Sequence, residues 1–223
     1  MIGPATVSKS PLDGSPYQAY SYSYPHKTSY RPLDPPMSLD DLWGTECRDA
    51  LFLYVHIPFC GMRCGFCNLF TRAGADGETV TRYLDALNRQ AGRVREALGN
   101  ATFSRFAIGG GTPTSLELSG LETVLDVAER VMGLDLTTVP TSVEVSPATV
   151  DAEKLALLVG RGVDRISIGV ETFVEAEAAS VYRPQELATV ERALTTIRNA
   201  APHTLNIDLI YGLPGQTVAS WLR

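Results

Sequence analysis

Five short runs rich in β-branched residues alternate with four longer segments whose apolar residues recur at helical spacing. This alternation predicts parallel βαβ units, because parallel strands need a long crossover connection and a helix usually supplies it. The sequence therefore predicts an α/β fold. The predicted strands are Leu51–Ile57, Arg105–Gly109, Ser142–Ser146, Arg165–Val170 and Leu205–Tyr211, and the predicted helices are Thr79–Leu98, Ser119–Met132, Asp151–Gly160 and Gln185–Ala200.

Alternate residues of the predicted strands differ consistently in polarity. Successive strand residues point to opposite faces, and one set is apolar in every strand, as at Val55, Ile108 and Ile168. The other set is polar or small, as at Glu144 and Asp208. An ordinary eight-stranded βα barrel fills its interior with bulky branched side chains, which the second set lacks. We therefore expect a partial (β/α) barrel of five strands with a polar, ligand-filled lumen.

The first fifty residues differ in composition from the rest of the chain. Residues 1–50 hold seven of the 14 prolines and many tyrosines and serines. Proline fixes φ and removes a backbone donor, so this composition disfavours helix. We expect an extended N-terminal arm over residues 1–50 and one core domain over residues 51–223.

Charge and hydropathy limit the partners of the 223-residue chain. Its formal net charge is −6, which argues against nucleic acid or an anionic membrane as the main partner, since both favour a basic patch. No apolar run approaches the roughly 20 residues that span a bilayer, and the N-terminus has no apolar signal-peptide core. We therefore expect a cytoplasmic protein.

Three of the four cysteines, Cys60, Cys64 and Cys67, lie within eight residues, shortly after the first predicted strand. Cytosolic cysteines are usually reduced, so this grouping indicates metal binding or catalysis rather than disulfides. Thiolates favour iron–sulfur clusters, zinc or copper(I). A cubane cluster normally takes four thiolates, so three would leave one iron open to a ligand. Zinc is the alternative, with His56 or Cys47 as a fourth ligand, unless His56 is a satisfied structural histidine.

The cysteine spacing Cys-x₃-Cys-x₂-Cys, with Phe66 just before the last cysteine, resembles the signature of the radical S-adenosylmethionine superfamily. The wider stretch Tyr54–Cys60 resembles the oxygen-independent coproporphyrinogen III oxidase group. Three further stretches resemble that group in the same order along the chain. They are Gly109–Thr114, Glu144–Pro147 and Asn206–Thr217.

The resemblance implies an enzyme that holds a [4Fe–4S] cluster on Cys60, Cys64 and Cys67 and binds one or two molecules of S-adenosylmethionine. One electron from the cluster would split the sulfonium into methionine and a 5′-deoxyadenosyl radical, which takes a hydrogen atom from a small-molecule substrate. The implied reaction is the oxidative decarboxylation of a porphyrinogen. The implied electron donor is a protein such as flavodoxin.

The same resemblance implies which residues contact the first cofactor molecule. Gly110, Gly111 and Thr112 would meet the amino end of its methionine part. Glycine allows the backbone to approach a ligand closely, although a plain tight turn would need the same residue. Glu144 would contact the ribose, and Tyr54 matches a position near this cofactor.

Four residues are implied at the second cofactor molecule. Arg183 and Asp208 would contact it, and Phe66 matches a position near it. Glu171 stands where the oxidases usually have glutamine. A carboxylate replaces an amide donor at this position, so we expect an altered contact with the second cofactor.

Two other functions share these motifs. Radical methylases and cyclopropanases of natural-product pathways share this core and use two S-adenosylmethionine molecules. Haem-binding chaperones also share it. The arm motif Ser23–Thr28 differs from the N-terminal region of the oxidases, but the core motifs do not separate the three functions.

The resemblance also bears on the extent of the chain. Members of the family continue with a sixth strand and a C-terminal substrate domain after the position where this chain ends, at Arg223. The resemblance thus implies a fragment or a truncated product. A missing strand would leave unpaired backbone groups at a sheet edge, so we expect the chain alone to be unstable or inactive.

Overall fold

The computed structural model describes residues 30–222. The motif Ser23–Thr28 and most of the expected arm therefore lie outside the described residues. The described part of the first fifty residues contains one short helix, α1 (Leu39–Trp43), which begins after Ser38, whose side chain accepts a hydrogen bond from the Asp41 N–H. The Arg48 guanidinium donates to the carbonyl oxygens of Trp43 at 3.1 Å and Leu98 at 2.9 Å and so joins this segment to the core.

Strands and helices alternate from Leu51 onward. Two strands are short, and a 3₁₀ turn at Pro113–Ser115 and a π-helical turn at Val127–Val131 flank the third helix. The strands are β1 (Leu51–Ile57), β2 (Phe59–Cys60), β3 (Arg72–Ala73), β4 (Phe103–Gly110), β5 (Thr141–Val145), β6 (Arg165–Glu171) and β7 (Thr204–Leu209). The helices are α2 (Gly77–Leu98), α3 (Leu118–Asp126), α4 (Ala152–Gly160), α5 (Glu175–Ser180), α6 (Leu187–Ala200) and α7 (Val218–Trp221).

The main sheet contains five parallel strands in the order β1-β4-β5-β6-β7. Successive strands of this sheet are neighbours, and helices α2, α3, α4 and α6 lie in the connections between them. Within residues 30–222 the sheet is open, since β1 and β7 do not pair. The predicted partial (β/α) barrel of five strands is confirmed.

Burial follows the alternation seen in the sequence. The apolar set of strand residues forms the core under the helices, with Ile57, Val143 and Ile166 all 0% exposed. One residue departs from the expectation: the alternation assigns Leu209 to the apolar set, but it is 40% exposed. It ends β7, which has one partner strand among the described residues, so less protein covers it.

Local capping sets the helix boundaries more tightly than periodicity does. Helix α2 begins two residues before the predicted start, because the Asp76 side chain accepts from the Thr79 N–H at 2.7 Å and caps it. It ends at Gly99, whose φ of +60° suits glycine. Helix α6 begins at Leu187 rather than Gln185, because the Gln185 amide donates to the carbonyl oxygens of Val170 and Thr172 at 2.6 and 3.0 Å.

Other predicted segments also differ in extent, and the strand predicted over Arg105–Gly109 runs from Phe103 to Gly110. The helix predicted over residues 119–132 is regular only to Asp126, and the following residues form a π turn. The strands predicted to reach Ser146 and Tyr211 end at Val145 and Leu209. Helix α5 and the strand pair β2–β3 are absent from the prediction, because six and two residues carry too little periodicity to be recognised. No helix among residues 30–222 has the length and apolar character needed to cross a bilayer.

A buried carboxylate, Glu177 of α5, fastens the turn after β7 to the core. It is 5% exposed and accepts hydrogen bonds from the Thr172 hydroxyl at 2.7 Å and the Gln216 amide at 3.2 Å. The Gln216 side chain also accepts from the Gly212 N–H at 2.6 Å. Hydrogen bonds from the Ser220 and Thr172 hydroxyls lower the pKa of Glu177. The segment after β7 therefore depends on this ionised side chain.

Replacing Glu177 with Gln tests this role. A carboxyl group whose pKa falls on folding stabilises the native state above its ordinary value of about 4.3, and the gain is lost as the pH falls through the native pKa. We expect Glu177→Gln to lower the melting temperature at pH 7 and the difference from wild type to shrink at about pH 3, below the ordinary pKa of the group. Circular dichroism melting at both pH values measures this. The exposed Glu122 of α3, changed to Gln, is the control, and equal melting of the two variants at pH 7 would contradict the assignment.

Candidate functional site

The carboxyl ends of the five parallel strands meet at one edge of the sheet, where a cavity of about 700 Å³ opens. Active sites of βα barrels lie at this end. The cavity wall contains every residue predicted for the site except Tyr54. Those residues are Cys60, Cys64, Phe66, Cys67, Gly110, Gly111, Thr112, Glu144, Glu171, Arg183 and Asp208.

The cysteine loop follows β1 directly and is fixed at several points. Cys60 ends β2, which pairs with β3. The Gly65 N–H donates to the Val181 carbonyl oxygen at 2.8 Å, and the Cys67 N–H donates to the Cys64 carbonyl oxygen at 3.1 Å. All three thiols are free and partly buried. The loop therefore presents three unpaired sulfurs to the same cavity.

Polar groups approach all three sulfurs, and the Thr71 hydroxyl lies 4.0 Å from Cys67 Sγ. The Thr112 hydroxyl lies 3.6 Å from Cys60 Sγ, and the Arg183 Nη1 donates to Cys64 Sγ at 3.3 Å. Burial raises the pKa of the Cys60 thiol, the Thr112 hydrogen bond lowers it, and the charges of Cys67 and Cys64 raise it again. A bound cation would reverse this balance, because opposite charge favours the thiolate.

These sulfurs fit an iron–sulfur cubane in number and in chemistry. Soft thiolates are the usual cluster ligands, and each binds a different iron, so they need not converge on one point. Among residues 30–222, no three His, Cys, Asp or Glu side chains are grouped so that they could hold a single metal ion. Three corners held by cysteine would leave the fourth iron open to an exogenous ligand.

His56 and Cys47 are the two side chains proposed as a fourth zinc ligand. Both ring nitrogens of His56 are hydrogen-bonded, and Cys47 is far from the other cysteines. The His56 Nε2 lies 2.8 Å from the Phe70 carbonyl oxygen, which can only accept, so this nitrogen carries the proton. The other nitrogen, Nδ1, then accepts from the Tyr54 hydroxyl at 3.1 Å. Cys47 precedes β1, at the opposite end of a seven-residue strand that spans about 20 Å. His56 is thus a satisfied structural histidine, and Tyr54 supports it from outside the cavity lining.

The glycine run at the end of β4 makes close approaches that no larger residue could make. A Cβ on Gly109 would lie 2.8 Å from the Glu144 Oε2, and one on Gly110 would lie 2.6 Å from the His56 ring. A Cβ on Gly111 would lie 2.6 Å from the Phe59 carbonyl oxygen and 2.9 Å from Cys60 Sγ. The run therefore forms a bare backbone cradle beside the cysteine loop.

Two carboxylates face the cavity next to this cradle. Glu144 Oε2 accepts from the Gly110 N–H at 3.1 Å. The group is reached from the cavity but lies deep among protein atoms, so burial raises its pKa, while the Gly110 hydrogen bond lowers it and the charge of Asp208 raises it. Asp208 Oδ1 accepts from the Asn206 amide at 2.7 Å. These oxygens are acceptors suited to hydroxyl or ammonium groups of a ligand.

Glu171 and Arg183 form an ion pair on the cavity wall. Glu171 lies at a register shift between β6 and β7 and has a φ of +68°, an uncommon conformation outside glycine. Its Oε1 is 3.8 Å from the Arg183 Nε. Burial raises the pKa of Glu171, whereas the charge of Arg183 lowers it and that of Asp208 raises it. The resemblance implies a second cofactor at Arg183, and in the structure its side chain contacts Cys64, Gly169 and Glu171.

Sequence reasoning missed the part of the wall contributed by α5 and the start of α6. Glu175, Gln185 and Glu186 line the cavity there. Glu175 also accepts from the Leu187 N–H at 2.7 Å and so caps α6. Pro184 and a polar residue before a helical run are boundary signals, but they do not indicate which side chains face a ligand.

The glycine cradle can be tested with two single substitutions. We expect Gly111→Ala to abolish cluster binding, because its Cβ would collide with the backbone at Phe59 and displace Cys60 Sγ. Gly61→Ala is the matched control in the same loop, since a Cβ added there would have no atom within 4 Å. Iron and sulfide are measured after anaerobic reconstitution of each variant. A Gly111→Ala protein that keeps wild-type iron would show that the close approach is not required.

Comparison with known proteins identifies the family of this chain. The chain matches the Radical SAM superfamily over residues 54–223. It is 33% identical to the heme chaperone HemW of Bacillus subtilis over 165 residues. The aligned region covers 74% of this chain and 43% of HemW. It is 32% identical to the oxygen-independent coproporphyrinogen III oxidase of Paracoccus denitrificans over 200 residues. That alignment covers 87% of this chain and 43% of the oxidase.

A solved structure agrees with these relatives. Coproporphyrinogen III oxidase (HemN) from Escherichia coli superposes with a TM-score of 0.73 at 30% identity, over 80% of this chain and 41% of that chain. This chain spans less than half the length of these relatives. The family match over residues 54–223 contains every residue that lines the cavity. The chain belongs to the radical SAM superfamily and resembles its coproporphyrinogen oxidase and HemW members.

Proposed function

We propose that Cys60, Cys64 and Cys67 hold a [4Fe–4S] cluster in this cavity and that the chain reductively cleaves S-adenosylmethionine there. The observation that supports this proposal is the presence of three free thiols on one cavity wall beside the glycine cradle. When bound, the cluster would supply the electron that splits the carbon–sulfur bond of S-adenosylmethionine into methionine and a 5′-deoxyadenosyl radical. That radical would then take a hydrogen atom from the substrate.

The protein groups around the sulfurs would bind and orient the nucleotide. The bare backbone of Gly110 and Gly111 would let the methionine part approach the open iron, with Thr112 beside it. Glu144 is aimed into the cavity by the Gly110 N–H and would accept hydrogen bonds from ribose hydroxyls. A carboxylate held in this way needs little reorganisation when the ligand binds.

The electron would enter through the cysteine loop. Gly61, Met62 and Arg63 lie between the first two cysteines and are exposed. Gly61 and Met62 also line the cavity, whereas Arg63 lies outside its lining, so a reduced protein donor such as flavodoxin could approach the cysteine loop from the Arg63 side. Arg63 adds a positive charge to this surface, which favours an acidic donor.

The first candidate reaction is the oxidative decarboxylation of a porphyrinogen. Relatives 31–32% identical to this chain carry the name oxygen-independent coproporphyrinogen III oxidase. Each decarboxylation would remove one hydrogen atom, one carbon dioxide and one further electron, so an external electron acceptor is required. The substrate brings carboxylates close to the radical. Haem binding, suggested by the HemW relatives, is a related alternative.

The second candidate reaction is radical transfer of a methyl-derived carbon from a second S-adenosylmethionine molecule. Glu171 favours it. This carboxylate faces the part of the cavity where the family resemblance implies a second cofactor, and it suits the positive sulfonium or ammonium groups of that molecule. A polycarboxylate substrate would gain nothing from it.

The cluster assignment is tested by Cys64→Ala. We expect the variant to lose at least about 90% of its 5′-deoxyadenosine yield under reduction with S-adenosylmethionine, because only two thiolates remain. Cys47→Ala is the matched control, since Cys47 is exposed and lies at the opposite end of β1. Chromatographic product analysis and iron content are measured together. An unchanged yield in Cys64→Ala would refute the assigned ligands.

The two reactions are separated by the fate of the cofactor methyl group. S-adenosylmethionine labelled with carbon-13 in the methyl group is supplied to the reduced protein in a cell extract. We expect the label in a new product if the second reaction operates, and carbon dioxide from a porphyrinogen without label transfer if the first one does. A parallel haem titration of the protein identifies haem binding.

A further inference from the structure

Arg183 is the single basic residue on the wall of the cavity among the described residues, and each of its three nitrogens faces a group of the protein. Nη1 donates to Cys64 Sγ at 3.3 Å, and Nη2 donates to the Gly169 carbonyl oxygen at 2.6 Å. Nε is buried, lacks a hydrogen-bond partner and faces the Glu171 carboxylate at 3.8 Å. The guanidinium thus points into the protein on three sides.

The local backbone is shaped to keep Glu171 on this guanidinium. Glu171 follows a register shift in β6 and adopts a φ of +68°. A Cβ on Gly169 would lie 3.0 Å from the Glu171 Oε1 and 3.5 Å from the Arg183 Nη2. The side chains of the pair are only 13% and 16% exposed, so solvent screens their attraction weakly. The absence of a side chain at Gly169 gives the pair its space.

The rest of the cavity lining is acidic. Four other carboxylates line the cavity, and no described cation of the lining offsets them. A cluster held by three thiolates would add further negative charge on this side. An anionic ligand is therefore repelled, whereas a cation is attracted by the summed field. The four carboxylates belong to Glu144, Glu175, Glu186 and Asp208.

We propose that Glu171 determines ligand specificity by neutralising Arg183, so that this side of the cavity receives a cationic or neutral group and excludes carboxylates. The inference rests on the proposed function and favours its second candidate reaction, because the first requires a substrate with a carboxylate at the reacting end. The change Glu171→Gln would leave the guanidinium charge uncompensated and would create an anion receptor.

Coproporphyrin III is a suitable probe, because it is a fluorescent tetracarboxylate. Its dissociation constant is measured by fluorescence titration of the reconstituted chain, with the wild type, Glu171→Gln and Glu186→Gln compared. Glu186→Gln is the matched control, since it removes one carboxylate from the same wall without touching Arg183. We expect binding to Glu171→Gln to tighten about 10-fold, which corresponds to about 1.4 kcal/mol, and binding to Glu186→Gln to change less than about twofold.

A double variant checks that the gain depends on Arg183. Adding Arg183→Met to Glu171→Gln is expected to remove the gain, as a double-mutant cycle requires for a coupled pair. Equal gains in affinity for coproporphyrin III in Glu171→Gln and Glu186→Gln would show that the total charge of the cavity decides binding and would overturn the proposal. No gain in affinity in either variant would also overturn it. Melting curves show whether each variant is folded.

Failure of the specificity proposal can be distinguished from failure of the proposed function. The same preparations are assayed for iron and for 5′-deoxyadenosine. If the wild type cleaves S-adenosylmethionine but Glu171→Gln binds coproporphyrin III no more tightly than Glu186→Gln does, only the specificity role of Glu171 is refuted. Absence of iron and of 5′-deoxyadenosine would refute the proposed function, while the titration of the metal-free chain would still test the pairing of Glu171 with Arg183.

Discussion

Burial of one face of five parallel strands against helices is the constraint from which the rest of the structure follows. Ile57, Ile108 and Ile166 are almost fully buried under the helices, and the alternation of side chains then turns the intervening residues to the other face. Since the strands are parallel, their carboxyl ends share one edge. The cysteine loop, the glycine run and three carboxylates are brought together there although they are far apart in the sequence.

Close contact between backbone and sulfur is the second requirement, and it depends on the first. Gly111 follows β4, and its N–H donates to the Ile57 carbonyl oxygen at 2.7 Å, which links the ends of the first two strands of the sheet. This bond brings the glycine run against Cys60. The register of the sheet therefore sets the position of a cysteine that lies outside the main sheet.

Much of this arrangement was predictable from the sequence, and the parts that were not have physical causes. The strands and the inward direction of Glu144 and Asp208 followed from alternation, which is a local property of the chain, whereas other cavity residues such as Arg183 came from the family resemblance. The ion pair of Glu171 with Arg183 depends on a register shift in β6, which no periodicity reveals. Tyr54 has the expected alternation but bonds to His56 outside the lining, since hydrogen bonding decides its side-chain direction.

The contact between Gly65 and Val181 links the cysteine loop to the segment that carries Arg183. The Gly65 N–H donates to the Val181 carbonyl oxygen, and a Cβ on Gly65 would lie 2.8 Å from the Tyr182 ring. The cysteine loop and the wall segment before Arg183 are thus joined by a direct backbone hydrogen bond. Any change in the backbone of the cysteine loop would therefore shift Arg183 together with the three sulfurs.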